Sequence, residues 1–160
     1  MAIKTTYSGA QIGLHWAIAL LIAANYVISD GMGDALDAHI GGEPVLGLTP
    51  VWHVWAGTAL LALVVVRLIV RARTGVPHLE GPWTLMTRAA DIGHWVLYAL
   101  MLAVPVLGAV TWFAKYDGTG NLHILLMNLL MITILGHSAA AVFHHYVRKE
   151  RVLGKMLPLR

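Results

Sequence analysis

The chain has 160 residues, of which 58% are hydrophobic and only 12% are charged. Soluble domains carry about 25% charged residues, so this composition leaves too little polar surface for a water-soluble fold and favours a membrane protein. The net charge of +3 is small and the basic residues flank apolar segments, which argues against a nucleic-acid partner. Because cysteine is absent, disulfides, thiolate zinc sites, cysteine-ligated iron–sulfur clusters and covalent haem attachment are excluded.

Four apolar segments follow one another along the chain. They are Ile12–Ser29, Val51–Val70, Ile92–Phe113 and Leu122–Val147. A helix needs about 20 mostly apolar residues to cross a hydrocarbon core of about 30 Å, and its backbone groups must be hydrogen-bonded within the segment. The sequence therefore predicts an all-α membrane protein, a bundle of four transmembrane helices that forms a single domain over residues 1–160.

Charged residues divide unevenly between the connections. Ten of the eleven basic residues lie near the N-terminus, in or beside the connection between the second and third segments, or in the C-terminal tail. The two remaining connections hold Lys115 together with five acidic residues, Asp30, Asp34, Asp37, Glu43 and Asp117. The positive-inside rule then places both termini and the connection between the second and third segments in the cytoplasm.

Seven of the nine histidines lie within or at the edges of these segments, at two depths. His15, His94, His137, His144 and His145 fall toward the predicted cytoplasmic side, and His53 and His123 fall toward the outer side. Ionisable residues inside a membrane are rare and are functional candidates by default. A single histidine there is often an interhelical hydrogen-bonding group, but that role does not explain seven histidines at two depths.

The fourth segment carries its histidines at regular intervals. His123 and His137 are fourteen residues apart, which in a helix returns to within about 40° of the same face after a rise of about 21 Å. His144 continues this face, whereas His145 points about 100° away from it. Two imidazoles this far apart cannot bind one metal ion, but each can ligate one of two stacked cofactors.

Haem and metal transport are two different uses of such histidines. Haem needs little besides axial ligands and an apolar slot, and the small residues Gly57, Gly108, Gly136 and 139–141 suit such a slot. The alternative for these small residues is ordinary close packing of helices. A transport path for zinc or iron would favour intramembrane carboxylates, and only Asp91 lies near a segment. Haem is therefore the favoured ligand.

Several stretches of the chain resemble the prokaryotic cytochrome b561 family. They are Tyr7-Ser8, Gln11-Ile12 and His15-Trp16 near the N-terminus, Trp52-His53, Gly93-His94, and the run from Gly136 to Tyr146 that contains His137, His144 and His145. The resemblance extends over nearly the whole chain. It implies a small four-helix di-haem membrane cytochrome that exchanges electrons with quinone, in a family that includes proteins described as superoxide oxidases.

The resemblance also implies an assignment of the histidines. It places an inner haem b on His15 and His137 and an outer haem b on His53 and His123. Depth alone supports the outer pair, whereas His94 competes with His15 for the inner haem. His94 and His144 are then the candidates for a catalytic quinone site with ubiquinone as exchangeable substrate, because histidine can both donate a hydrogen bond and supply protons.

The predicted function is transmembrane electron transfer between an outer donor and membrane quinone. Superoxide is a donor by resemblance alone, and it would make the chain a superoxide:ubiquinone oxidoreductase. One alternative is a non-catalytic haem-bearing anchor subunit of a partner redox enzyme, and a less favoured one is metal transport. Membrane lipid, quinone and a redox protein are the expected partners. Lys115 is the sole basic residue of the predicted outer connections, so an attractive field for superoxide has little support.

Overall fold

The computed structural model describes residues 7–76, 85–149 and 153–156. These residues form five α-helices, α1 (Gly9–Val27), α2 (Met32–Gly41), α3 (Leu48–Thr74), α4 (Leu85–Phe113) and α5 (Gly120–Tyr146). Two short 3₁₀ helices, Asp117–Thr119 and Leu153–Lys155, follow α4 and α5. The described residues include no strand, and α1, α3, α4 and α5 are long and apolar enough to cross a membrane. The predicted all-α fold with four spans is confirmed.

Local sequence explains where α1 begins and α3 ends. The Ser8 hydroxyl accepts a hydrogen bond from the Gln11 N–H, and the Gln11 side chain accepts one from the Ser8 N–H at 3.0 Å, which is a capping box. Gly75 ends α3 with a φ of 69°, a conformation that favours glycine, and its N–H donates to the Arg71 carbonyl at 2.9 Å. Arg71 and Arg73 in the last turn suit the negative end of the helix dipole.

The short helix α2 was not predicted. It lies between α1 and α3 and is flanked by Gly31 and Gly42, both left-handed with φ of 78° and 79°. The His39 ring stacks on Trp112 with centroids 4.2 Å apart, and its Nε2 lies 3.1 Å from the Trp112 carbonyl. The Lys115 ammonium donates to the His39 carbonyl at 2.9 Å. These contacts fix α2 against the end of α4.

The four long helices pack in chain order. Helix α1 packs on α3, α3 on α4, and α4 on α5, whereas within the described residues α5 makes little backbone contact with α1 or α3. We call the end of the bundle that carries Arg71 and Arg73 the arginine end, and the opposite end, which carries α2, the α2 end. We call this side of the bundle, where the backbone of α5 makes few contacts with α1 and α3, the opening.

An apolar layer holds the middle of the bundle. All four long helices contribute buried side chains to it, among them Ile22, Leu60, Met101 and Leu130. Leu130 is only 1% exposed. It lies seven residues from His123 and seven from His137, so this layer separates two levels of histidines.

We expect truncation of Leu130 to destabilise the bundle. Leu130→Ala removes a fully buried side chain and leaves a cavity, which in protein cores costs about 2–5 kcal/mol. A lower midpoint of thermal unfolding of the detergent-solubilised protein measures the effect. Leu129→Ala is the matched control, since Leu129 is 46% exposed on the same helix. Equal midpoints for the two variants would contradict this description of the core.

Candidate functional site

Two histidines face each other at the α2 end. His53 lies in the second turn of α3 and His123 in the first turn of α5. Their ring centroids are 6.1 Å apart, with ring planes at 74°. Imidazoles bound to opposite sides of one metal, with metal–nitrogen bonds of about 2 Å, have ring centroids about 6 Å apart. This pair of helices otherwise scarcely touches, so the two rings approach each other across the opening.

The α4 backbone holds the His123 ring in place. The ring nitrogen Nδ1 lies 2.8 Å from the Val104 carbonyl, which can only accept, so Nδ1 carries the proton and donates. A Cβ at Gly108 would stand 3.0 Å from Cε1 and 3.1 Å from Nδ1 of this ring. A side chain at this position would therefore require the His123 ring to shift by a few tenths of an ångström. The other nitrogen, Nε2, is left unprotonated and able to bind a metal.

The His53 ring lacks an equivalent anchor. Its Nδ1 is buried without a hydrogen bond, as is Oδ1 of Asn25. The Asn25 backbone carbonyl is near enough to interact with the His53 ring, and the Asn25 amide donates to the His53 carbonyl at 3.4 Å. A metal-bound histidine usually donates its other N–H to such a carbonyl. A small movement of the His53 ring would complete that hydrogen bond to the Asn25 carbonyl.

Three histidines gather at the arginine end. The rings of His94 on α4 and His137 on α5 have centroids 5.3 Å apart and planes at 70°. His15 on α1 is within electrostatic range of both and has its ring edge on Trp16 at 5.5 Å. The structure thus brings together all three candidates for the inner haem, and the ring contact of His137 is with His94.

The other histidines are placed differently. The His144 ring is half-buried and contacts Phe143 edge to face, with centroids 6.1 Å apart. His145 contacts Tyr146 at 4.9 Å, and its Nδ1 is buried without a hydrogen bond. The His39 ring, at the α2 end, is stacked on the Trp112 ring.

Arg67 is a further charged residue at the arginine end. It lies in α3 and acts electrostatically on both His15 and His137. It follows His53 by fourteen residues, the same interval that separates His137 from His123. That repeat was a signal in the sequence that would have placed Arg67 at the inner histidine level.

The small residues expected to line a haem slot have distinct surroundings. Gly108 supports the His123 ring, as described above. A Cβ at Gly57 would lie 3.8 Å from the Asn25 amide nitrogen, whereas a Cβ at Gly136 would meet nothing within 4 Å. The open space beside Gly136, next to His137, and the opening between α5 and α1 fit a flat apolar cofactor. Neutral imidazoles on facing helices fit the axial positions of haem iron.

No group of three or more metal-ligating side chains in the described ranges, 7–76, 85–149 and 153–156, is arranged to hold a bare metal ion, and this includes the three histidines at the arginine end. The histidines instead face each other in pairs. Two axial imidazoles complete the coordination of an iron that a porphyrin already holds, so the donor set suits haem better than a bare metal ion.

Comparisons with known proteins agree with this geometry. The family model described as prokaryotic cytochrome b561 matches residues 6–159. The chain belongs to the prokaryotic cytochrome b561 family. It is 37% identical to cytochrome b562 of Cereibacter sphaeroides over 151 residues, which cover 94% of each chain. It is 29% identical to the probable superoxide oxidase CybB of Yersinia pestis, over 95% of this chain and 96% of that one.

A third relative is similar over a comparable length. Cytochrome b561 homolog 1 of Escherichia coli K12 is 28% identical over 96% of this chain and 98% of its own. Membership of the cytochrome b561 family makes this chain a haem b-binding membrane protein of electron transport. Among the described residues, the paired histidines have the donor chemistry that this cofactor needs.

Gly108 provides a direct test of the α2-end geometry. In Gly108→Ala, the new Cβ displaces the His123 ring and weakens its bond to the Val104 carbonyl. Loss of such a supporting contact typically costs about 10–100-fold in affinity for the bound metal group. We expect faster transfer of haem from the purified variant to a haem-scavenging apoprotein.

Gly93→Ala is the control, because its Cβ would meet nothing within 4 Å on the same helix α4. This variant should release haem at the wild-type rate. Identical release from the Gly108→Ala and wild-type proteins would show that the α4 backbone does not position His123.

Proposed function

We propose that this cytochrome b561 family member binds two haem b groups, one at each histidine level, and moves electrons from a donor at the α2 end to quinone at the arginine end. The observation that carries the proposal is the facing pair His53 and His123, with ring centroids 6.1 Å apart across the opening. His137 repeats this position at the other level, fourteen residues along the same regular helix. Haem iron held between these imidazoles supplies the one-electron redox chemistry, and the protein supplies ligation, burial and hydrogen bonding.

The orientation of the chain in the membrane is part of the proposal. The arginine end faces the cytoplasm and the α2 end faces outward, in the bacterial inner membrane, with both termini in the cytoplasm. The positive-inside rule supports it, since Arg71, Arg73 and Arg88 flank one connection and acids prevail in the others. Electrons then enter from outside and leave toward the cytoplasmic leaflet.

His53 and His123 are the proposed ligands of the haem at the α2 end. The hydrogen bond from His123 Nδ1 to the Val104 carbonyl directs Nε2 toward the opening. The backbone carbonyl of Asn25 lies beside the His53 ring and can orient it in the same way. Each ring can thus present an unprotonated nitrogen to the iron.

His15 and His137 are the proposed ligands of the haem at the arginine end. A porphyrin with one ligand on each face needs helices that stand apart. Helices α4 and α5 pack directly on each other, whereas α1 and α5 scarcely touch. The space therefore favours His15 over His94 as the ligand opposite His137, although His94 is the nearer ring in the structure.

His94 and His144 then form the proposed quinone site. Reduction of a quinone to a quinol takes two electrons and two protons. The electrons arrive one at a time, and a histidine can hydrogen-bond the quinone oxygen and supply a proton at neutral pH. His94 is close to the proposed inner ligand, with its ring 5.3 Å from that of His137. Ubiquinone is the proposed exchangeable substrate.

Superoxide is the donor that the Yersinia pestis relative suggests by its name. Oxidation of superoxide to dioxygen releases one electron, so two superoxide ions and two protons convert one quinone to quinol. The acidic residues at the α2 end do not attract the superoxide anion. Asp30 and Asp34 line an open cavity of about 310 Å³ at this end. The Lys115 ammonium donates a hydrogen bond to the His39 carbonyl.

A second candidate follows from the same acidic surface. Asp30, Asp34, Asp37 and Asp117 are exposed at the α2 end, and negative charge favours encounter with a cationic redox protein. The chain would then serve as the haem-bearing membrane anchor of a partner enzyme, without catalysing a reaction alone. Co-purification of an outward-facing redox subunit, lost in 0.5 M salt, would favour this candidate.

Replacement of single histidines tests the ligand assignment. We expect His123→Ala and His15→Ala each to lower haem content from two groups per chain to one, because each removes one axial ligand of one haem. His94→Ala should keep both haems and slow reduction by quinol. Pyridine haemochrome analysis with quantified protein gives the haem count, and stopped-flow spectroscopy gives the rate.

Two results would revise the assignment. If His94→Ala loses one haem while His15→Ala keeps both, His94 is the ligand opposite His137. If His123→Ala loses both haems while the helical content by circular dichroism is unchanged, the two levels do not bind separate haems.

Superoxide as donor is tested by rapid reduction of the bound haem. A superoxide source should generate the reduced α-band of the purified protein, and ubiquinone should then reoxidise it. Superoxide dismutase, added as a control, should abolish the reduction. Absence of reduction in a protein that quinol still reduces would exclude superoxide and favour the partner enzyme as donor.

A further inference from the structure

The position of Arg67 in the bundle is unusual for a charged residue. It lies within the apolar helix α3, fourteen residues after His53. In a helix this interval returns to within about 40° of the same face, about 21 Å further along. Arg67 therefore lies on nearly the same face of α3 as His53, at the level of His137. The charge acts on His15 and His137.

The contacts of Arg67 are with neutral groups. Nε donates to the Tyr98 hydroxyl at 3.3 Å and one terminal nitrogen donates to the Gln11 carbonyl at 3.0 Å. A guanidinium has five N–H donors, so these two bonds leave others to be satisfied. Neither Arg67 nor Arg71 makes an ion pair with a carboxylate in the described part of the chain. A cation inside a membrane helix without an anionic partner is costly.

The groups around Arg67 are held firmly. Gln11 is only 4% exposed, and its amide donates to the Gly75 carbonyl at 2.9 Å, which ties α1 to the end of α3. The Arg71 guanidinium lies over the Tyr98 ring, 5.6 Å from its centroid. Burial raises the pKa of Tyr7, so its phenol stays protonated and able to donate. Arg67, Arg71 and Tyr98 are therefore held in place with no carboxylate at ion-pair distance from either arginine among the described residues, although Asp91 acts electrostatically on Tyr7 from further away.

The space within the cluster limits what it can bind. Tyr7, Gln11, Arg67, Arg71 and Tyr98 line a cavity of about 10 Å³. That is about the space of one water molecule, so a quinone ring does not fit within it. One or two oxygen atoms that project from a larger group outside the cluster do fit. The oxygen atoms of a carboxylate are such atoms, and a guanidinium can bind them with two parallel hydrogen bonds.

We propose that Arg67, supported by Arg71, Tyr98 and Tyr7, binds a propionate carboxylate of the haem at the arginine end. The inference rests on the proposed function, since it requires a haem at this level. The carboxylate supplies the anion that Arg67 lacks among the described residues. The paired cation in turn favours the reduced state of the adjacent iron, because reduction adds one negative charge.

The site predicts a specific change in redox behaviour. In Arg67→Gln the propionate remains in the cluster without its cation, so the midpoint potential of one haem falls. We expect the reduction equilibrium of that haem to change at least tenfold, which corresponds to 59 mV for one electron. Because an unpaired buried carboxylate takes up a proton more readily, the potential should also become more pH-dependent. Spectroelectrochemical titration of the full-length protein in neutral-lipid nanodiscs measures both effects.

Arg73→Gln is the matched control. It removes the same charge from the same helix, but Arg73 is exposed and makes none of these contacts. Both potentials of this variant should equal those of the wild type. If Arg67→Gln keeps two haems with potentials equal to those of Arg73→Gln, the propionate site does not exist.

Two further comparisons test whether the anion bound by Arg67 is the Glu80 carboxylate or a lipid phosphate instead of the haem propionate. Glu80 lies outside the described residues, and Glu80→Gln should leave the potentials unchanged; a shift equal to that of Arg67→Gln would assign the anion to Glu80 and overturn the proposal. The Arg67→Gln shift should be the same in neutral and in phosphatidylglycerol nanodiscs. A shift confined to phosphatidylglycerol would assign the site to a lipid phosphate and also overturn it.

The number of haems per chain separates a failure of the proposed function from a failure of the propionate site. A wild-type protein without two haems per chain contradicts the proposed function itself, whereas two haems with unchanged potentials contradict only the propionate site. If Arg67→Gln loses one haem, Arg67→Lys should restore it with a smaller shift in the same direction, since lysine keeps the charge but not the paired donors. Loss of both haems from both variants would reveal a role in folding and overturn the proposal.

Discussion

Neutral imidazoles placed in an apolar bundle need partners, and this constraint organises the molecule. A buried polar group without a hydrogen bond or ligand is costly. The histidines of α5 lie at two levels, His123 at one and His137 at the other, separated by the apolar layer around Leu130. At the α2 end, His123 is satisfied on one side by the Val104 carbonyl and faces His53 on the other. We propose that the remaining ring nitrogens bind the iron of haem b.

The two levels differ in their charge. The α2-end pair is surrounded by neutral groups such as Asn25 and Gly108, whereas the arginine end adds Arg67 and Arg71 beside its histidines. A cation near a redox centre favours the reduced state. The asymmetry therefore supports the direction in which we propose that electrons move, from the α2 end to the arginine end, where quinone takes up protons.

Hydropathy and helix geometry were sufficient to predict the four spans, because a bilayer demands long apolar helices from the sequence itself. They were also sufficient to place His53 and His123 at one level, since both begin their spans on the same side. Helix α2 was missed because it is short, only partly apolar and held by tertiary contacts such as the stack of His39 on Trp112. Propensity alone does not reveal a helix that depends on packing.

The arrangement at the arginine end could not be predicted for a different reason. Which of His15 and His94 stands opposite His137 depends on how far apart the helices lie, and sequence spacing within each helix carries no such information. The structure adds the helix separations, and the few backbone contacts between α1 and α5 support our proposal of His15, because α4 packs directly on α5. The role of Gly108 was likewise hidden, since glycine in a membrane helix usually indicates ordinary close packing.

The central claim is that the two histidine levels bind two separate haem b groups. The most direct measurement is the number of haem b groups per chain in the purified full-length protein, from pyridine haemochrome absorbance and quantitative amino-acid analysis. The account predicts two per chain, both low-spin in the reduced optical spectrum. One haem per chain in fully loaded protein, or none, would contradict it.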